Sequence, residues 1–383
     1  MLRFLTSGES HGPGLVATVE GLPAGLTVTR DGIAGELARR RLGFGRGPRM
    51  RLERDELEIL GGVRFARTLG GPVTVLIRNS EWEKWQDEMS PDPGESLKRE
   101  TKPRPGHADL VGMQKYDTHD ARDILERASA RETAARTVVG YLAKQLLGEA
   151  GVTVMSHVVA IGSVRASVDV LPGPGDLDVV DASEVRVFDL DSEKAMIAEI
   201  EAARSDRDTL GGVVEVLAYG LPPGIGSHVH WDRKLDGLLA GALMSIQAIK
   251  AVEIGDGLTQ AASRGSAAHD EITITDGSYT RRTNCAGGLE GGMTTGEVLR
   301  VKAAMKPIST LMRALETVDV VSKETASAFR ERSDVCAVPA AGVVAEQMVA
   351  YVLANEMMRK FGGDTVADFL SSIDAYKARL AEH

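Results

Sequence analysis

Residues Arg127–Leu147 read RASARETAARTVVGYLAKQLL. Ser129, followed three positions later by Glu132 ahead of an apolar-periodic run, has the pattern of a capping box, so Ser129 is the expected N-cap of a long helix. Ala134, Ala135, Val138, Val139, Leu142 and Leu146 recur at spacings of three and four, which gives the helix one face to bury. Gly148 or Gly151 is the expected stop. A helix start carries unsatisfied N–H groups and roughly +0.5 of a charge, so it attracts anions. Arg127 and Arg131 stand beside this one, and KPRPGHAD (Lys102–Asp109) runs just upstream. There His107 lies between a Pro-Gly turn and Asp109, with Arg104 close by in sequence. On this stretch alone, an anion site and an ordinary capped helix with solvated arginines both stay open.

Towards the N-terminus, residues 1–30 read as a strand, a glycine-rich turn (Ser7–Gly14) containing Ser10 and His11, and a second strand, Leu15–Glu20. Asp31 is the expected N-cap of a helix that points Ile33, Leu37 and Leu42 inward and ends at Gly43. Between Arg30 and Arg54 there are eight arginines, no lysine and three acids. Arginine without lysine suggests bidentate recognition of phosphate or carboxylate; a solvated charge run or an RNA-binding patch would have the same composition. Strands are expected at Leu57–Leu60 and Val73–Ile77. Residues 80–102, polar and proline-containing, read as a long exposed loop covering something.

Towards the C-terminus, residues 152–190 read as strands separated by a Pro-Gly turn, and residues 191–204 as an amphipathic helix. Gly211–Val216 reads as a strand and Leu235–Ile246 as a helix with Leu235, Leu238, Leu239 and Leu243 on one face. Leu258–Glu271 reads as a flexible segment. A double-glycine region, Arg282–Glu297, precedes a strand over Val298–Ala304. Next comes Lys306-Pro307-Ile308-Ser309-Thr310, a lysine beside two hydroxyls, which suits a phosphate. A helix over Ala341–Lys360 and a last one from Asp364 complete the chain. Gly21-Leu22-Pro23-Ala24-Gly25-Leu26 and Gly220-Leu221-Pro222-Pro223-Gly224-Ile225 each follow a valine-rich strand, a faint sign of internal duplication.

At 383 residues, 43% hydrophobic and 26% charged, the composition is that of a globular protein with room for a large core. A net charge of −10, a pI near 5.4 and 4% aromatics argue against general nucleic-acid or membrane-surface binding. Two cysteines, Cys285 and Cys336, make no disulfide framework and belong to no metal-ligand cluster. The N-terminus lacks an apolar signal core and no run is expected to reach membrane-span length, so the cytoplasm is the expected compartment. There is no G-x-x-x-x-G-K-[ST], no strand-linked G-x-G-x-x-G, no HExxH and no CxxC, so neither a P-loop, a dinucleotide fold nor a metal is indicated. What remains suits an enzyme acting on a phosphorylated anion: histidine donates a proton to a leaving phosphate near neutral pH, and arginine neutralises the charge that develops. A non-catalytic anion or RNA binder built on the Arg30–Arg54 island is the competing reading.

Six motifs in series carry a resemblance over almost the whole chain: LTSGESHGPG (5–14), RRRLGFGRGPRM (39–50), KPRPGHAD (102–109), RASARETAAR (127–136), AGGLEGGMTTGE (286–297) and RSDVCAVPAAGVVAE (332–346). In this order they closely resemble the chorismate synthase family, in its bacterial, monofunctional form. The resemblance implies conversion of 5-enolpyruvylshikimate 3-phosphate to chorismate and phosphate, an anti 1,4-elimination in the shikimate pathway of aromatic amino acid biosynthesis. It also implies a requirement for reduced FMN. By matching position, His11, His107 and Asp334 would be catalytic, with Ser10 and Ser129 assisting. Arg40, Arg46, Arg49, Arg104 and Arg131 would grip the substrate. Arg127, Ala128, Ser129, Gln247, Ala248, Gly291, Lys306, Pro307, Ile308, Ser309, Thr310 and Arg332 would line FMN. Arg40 and Arg46 also match positions ascribed to NADP, with NADPH a source of reductant; no reductase domain is visible, so an external flavin reductase is expected. The implied fold is α+β, a β-α-β sandwich with helices between two four-stranded sheets and pseudo-two-fold halves, in one domain over 1–383 dividing near 190/191. The family usually forms homotetramers. Gln247 stands where asparagine is commoner, Met293-Thr294-Thr295 where Ile-Ser-Asn is more usual, and Ile308 where threonine is, which touches only individual flavin contacts.

Overall fold

The computed structural model describes residues 1–46, 56–167, 170–329 and 334–382. Chain order in the first half is β1 (Arg3–Ser7), β2 (Gly14–Glu20), α1 (Arg30–Arg41), β3 (Glu56–Gly61), a hairpin of β4 (Val63–Arg64) and β5 (Arg67–Thr68), β6 (Val73–Arg78), α2 (Asp109–Tyr116), α3 (Arg122–Ala128) and α4 (Thr133–Glu149). The second half runs β7 (Thr153–Ile161), β8 (Val164–Arg165), α5 (Leu190–Ser205), β9 (Gly212–Tyr219), α6 (Leu235–Met244), β10 (Ile249–Ile254) and a hairpin of β11 (Ile272–Thr275) and β12 (Ser278–Arg281). It continues with a hairpin of β13 (Leu289–Glu290) and β14 (Met293–Thr294), β15 (Leu299–Met305), a hairpin of β16 (Glu316–Val318) and β17 (Thr325–Ser327), α7 (Val338–Phe361) and α8 (Val366–Ala381).

The first sheet has the antiparallel order β1-β2-β6-β3, and the second β10-β15-β9-β7-β8. Strand alternation sets the inner face of the first: Leu15, Ala17 and Val19 on β2 and Val73, Val75 and Ile77 on β6 are buried. Helix α4 packs on that face, α7 packs on β7 and β9 of the second sheet, and the two helices pack on each other. Their contact depends on Gly140: a Cβ there would fall 2.2 Å from Gln347 Cβ and 2.5 Å from its Cα. An ion cluster crosses this layer. The wholly buried Glu346 of α7 accepts from Arg39 of α1 (2.7 Å), Lys144 of α4 (2.6 Å) and Ser156 of β7 (3.0 Å). Burial would raise the Glu346 carboxyl, but Lys144 and Arg39 outweigh it and hold it well below the usual range.

The two halves repeat one another. Order β1-β2-β6-β3 corresponds to β7-β9-β15-β10, with α1 and α6 at matching places in the chain and β8 added as a two-residue edge. The match extends to single hydrogen bonds. Thr68 donates to Pro23 O (2.6 Å) and accepts from Leu26 N–H (2.9 Å); Thr294 donates to Pro222 O (2.6 Å) and accepts from Ile225 N–H (2.9 Å). In strand order the joint between halves falls between α4 and β7, at residues 150–152. A division near 190/191 would cut the first turn of α5.

Several local expectations are corrected. Helix α1 is capped by Thr29, whose side chain accepts from Gly32 N–H, rather than by Asp31, and Leu42 lies outside the helix at 43% exposure. Ser129 caps a single 3-10 turn, Ala130–Glu132, that leads into α4, and its hydroxyl accepts from Arg131 N–H. No capping box forms there, because the Glu132 carboxylate accepts from Thr6, Arg136 and Gln247. Beyond the Pro172–Gly175 turn, where a strand was expected, the chain forms a short helix, Leu177–Ala182. Helix α7 is long and apolar enough to cross a membrane, contrary to expectation, but 89% of its apolar window is buried inside the protein. It is the core helix of the second half.

Candidate active site

A cavity of about 780 Å³ opens where the β1–β2 turn, the start of α4, the α6–β10 turn and the segment after β15 converge. Its wall includes Ser10, His11, Arg40, Arg46, Arg104, His107, Ala128, Ser129 and Arg131 from the first half. Gln247, Ala248, Lys306, Pro307, Ile308, Ser309, Thr310 and Asp334 come from the second. Side chains expected at one site from positions 300 residues apart in sequence therefore face one space.

The turn that carries His11 is held from several sides. Gly8 takes φ +96°, and a Cβ on it would lie 2.1 Å from Gly14 O, so this position requires glycine. Asn79 donates to Glu9 O (3.0 Å) and Gly12 O (2.8 Å). The imidazole itself is fixed by Glu126 of α3. His11 Nδ1 lies 2.9 Å from Oε1 and 3.0 Å from Oε2, and the His11 backbone N–H donates to Oε2 at 2.9 Å. Arg122, one turn earlier, donates to Glu126 Oε1 at 2.8 Å. Burial would raise the Glu126 carboxyl, but its hydrogen bonds with His11 and the charges of His11 and Arg122 hold it below its ordinary value. The Trp85 ring stacks on His11 at 4.2 Å, and the Arg122 guanidinium lies 4.8 Å from the same indole.

His107 has a matching arrangement from closer in sequence. Its Nδ1 contacts Asp109 Oδ1. The wholly buried Asp109 also accepts from Arg104 Nε (2.8 Å) and from the Arg104 backbone N–H (3.1 Å). Burial acts to raise Asp109, while His107 and Arg104 together hold it far below the usual carboxylate range. Arg104 donates on to Thr310 (3.0 Å) and lies 4.5 Å from the Phe329 ring, so the first half's histidine loop is clamped to the strip after β15.

The remaining cations are buried rather than solvated: Arg40, Arg104 and Arg131 are 4%, 6% and 7% exposed. Arg40 Nε donates to Thr133 (3.0 Å), Arg131 Nε donates to Asn79 (3.2 Å), and Arg46 pairs with Asp334 at 3.0 Å. Gln247 donates to Glu132, and its buried Oε1 has no hydrogen-bond partner among the described residues. Ala248 beside it takes φ +66° and accepts from Lys306 N–H. Among the expected residues, Arg127 is directed elsewhere, donating to Thr6 O and Gly8 O, and Gly291 sits at the β13–β14 turn away from the cavity wall. Arg49 and Arg332 lie outside the described residues. The sequence reading missed Glu126, Trp85, Arg122, Glu81, Glu100 and Phe329, all but Glu126 on the cavity wall. The two tryptophans in the polar segment 80–102 were the available signal. That segment does reach the cavity, through Glu81, Trp85 and Glu100, whereas Leu258–Glu271 does not.

A cavity lined by two carboxylate-held histidines and buried arginines defines an enzyme, one suited to moving protons on a small anion. Comparison with known proteins narrows this. A family model described as chorismate synthase matches residues 2–358. The chorismate synthase of Salinispora tropica is 62% identical over 385 residues, and that of Thermobifida fusca 60% over 386, each covering 98% of both chains. A crystal structure of a chorismate synthase superposes with a TM-score of 0.81 at 39% identity, over 100% of this chain and 99% of that one. The chain belongs to the chorismate synthase family.

Proposed function

We propose that the chain converts 5-enolpyruvylshikimate 3-phosphate to chorismate and phosphate, with reduced FMN bound beside the substrate. The observation that carries this reading is that His11 and His107 line the same cavity, together with Arg40, Arg46, Arg104, Arg131 and Lys306. A substrate with a phosphate and two carboxylates needs several guanidinium groups at once, and buried arginines supply them with little competition from water. A patch for RNA would instead spread its arginines over the surface, and the described members of the Arg30–Arg54 island include the buried Arg40.

The residues also fit a flavin. Gln247 Oε1, without a partner among the described residues, is an acceptor for a ring N–H, Ala340, Ala341 and Val344 offer an apolar wall, and Lys306 to Thr310 offers a cation and hydroxyls for a phosphate. Reduced FMN, when bound, would lend electron density to the substrate and recover it, consistent with a reaction of no net redox change. The chain's own part is proton handling. His11 gives a proton to the phosphate oxygen as its C–O bond breaks. Asp334, paired with Arg46, is a carboxylate on the wall to receive the proton lost from carbon. His107 shares the cavity wall with Lys306, whose ammonium donates to Gly106 O, and would hold a proton for the reduced flavin bound there. Ser10 and Ser129, linked at 3.3 Å, assist. Homotetramer assembly in the cytoplasm and reduction of FMN by an external reductase complete the proposal.

The test is anaerobic turnover with and without reduced FMN. Release of phosphate with formation of chorismate, only when reduced FMN is present, is the expected result; no turnover with fully reduced flavin would overturn the reading. His11→Ala and His107→Ala should each lower turnover by about 10²–10⁴-fold, the range for a lost acid–base group. NADPH oxidation by the purified chain with FMN would show that no external reductase is needed.

A further inference from the structure

We propose that Glu126 is the positioning residue of His11, fixing its imidazole by Nδ1 so that the proton delivered to the departing phosphate leaves from Nε2. The inference rests on the reading of His11 as proton donor given above. A histidine in a glycine-rich turn has little neighbouring structure to orient it. Here one buried carboxylate grips both the backbone N–H and the ring of His11, at 2.9 Å each, while Ser10 N–H donates to the Glu126 carbonyl at 3.0 Å. Ring and turn are thus registered to the same residue of α3.

The chemistry of the pair assigns the proton. An ionised carboxylate only accepts hydrogen bonds, so Nδ1 carries a hydrogen bound to Glu126 and the proton to be given up is assigned to Nε2. Glu126 stays ionised because Arg122 donates to it and the surroundings hold its carboxyl low. The carboxylate therefore sits as a fixed acceptor against Nδ1, and the ring is held in one orientation. Other charged groups act on the same ring. Arg122 and Lys98 lie over Trp85, the indole stacked on His11, and Glu81 and Arg131 share the cavity wall. Glu126 is in direct contact with the ring. In the step itself the C–O bond breaks with its electron pair on phosphate oxygen, the Nε2–H bond passes its proton to that oxygen, and His11 becomes neutral while Glu126 is unchanged.

The experiment compares wild-type holoenzyme with Glu126→Gln and Glu126→Asp. Glutamine keeps the size but removes the charge, so kcat should fall about 10²-fold at pH 7.5 with KM little changed. Because the proton is given by His11 and glutamine removes the negative charge beside its ring, the descending limb of the pH–kcat profile should move to lower pH in Glu126→Gln. Glu126→Asp should restore the position of that limb. A ¹⁵N NMR titration of His11 without substrate should show Nδ1–H in wild type and loss of the proton at lower pH in Glu126→Gln. An unmoved limb and an unmoved NMR titration overturn the proposal, as does a raised KM with kcat intact. The NMR arm needs no turnover, so failure of the proposed reaction and failure of the Glu126–His11 coupling are distinguishable; thermal unfolding checks that both variants fold.

Discussion

His107 and Asp109 were legible as a pair because two residues on one turn must be neighbours, and the sequence KPRPGHAD supplied the turn. His11 was legible as a loop histidine, but its partner Glu126 stands 115 positions away and only the docking of α3 against the β1–β2 turn brings them together. Asp109 is the residue on which a stability test turns. It is wholly buried and binds Arg104 by side chain and backbone. Asp109→Asn leaves Arg104 without its counter-charge and should cost about 3–5 kcal/mol, the usual consequence of breaking a buried pair. The sign with pH follows from the depressed carboxyl. Its contribution is complete above the ordinary value of 3.8 and is lost as pH falls towards the lower folded value. Denaturant unfolding from pH 7 to pH 3 should therefore show the gap between wild type and Asp109→Asn holding to about pH 4 and narrowing below it.

The central helices were the elements read most securely. The three- and four-residue spacing of α4 returns in the structure as a run of residues against the first sheet, from Ala134 to Leu146. Its start was misread, because local pattern cannot show that Arg136, Thr6 and Gln247 compete for the Glu132 carboxylate that a capping box needs. Nor could the sequence show why Gly140 interrupts a strong helix former: the reason is Gln347, on the other core helix. Gly140→Ala raises helix propensity yet forces a methyl into backbone-distance contact with α7. It should destabilise the protein by about 1–3 kcal/mol despite the better propensity. Urea unfolding measures this, and a neutral or stabilising result would mean the two helices can separate without cost.

Across the whole molecule, the duplication surfaced in the sequence only as two short Gly-Leu-Pro turns. The rest was hidden because the halves diverge in side chains and in insertion length, while what they share is strand order and hydrogen bonding largely made by backbone. Thr68 and Thr294 are the side chains through which the shared geometry can be probed. Each joins a carbonyl to an N–H at distances equal within 0.1 Å of its counterpart's. Thr68→Val and Thr294→Val should each cost about 1–3 kcal/mol, by similar amounts, because each leaves a buried N–H and carbonyl unsatisfied. The double variant should lose the sum of the two, since the sites share no partner. Thermal or urea unfolding of the three variants reads both expectations.

The joint at residues 150–152 separates one sheet with α4 from one sheet with α7, and the cavity takes its wall from both sides of it. A polypeptide nicked at that point would leave each fragment with an uncovered helix and only part of the catalytic wall. Its activity would then obey mass action, fading on dilution as a dimer's does and returning on concentration, so that the single covalent link sets the effective concentration at which the two halves meet.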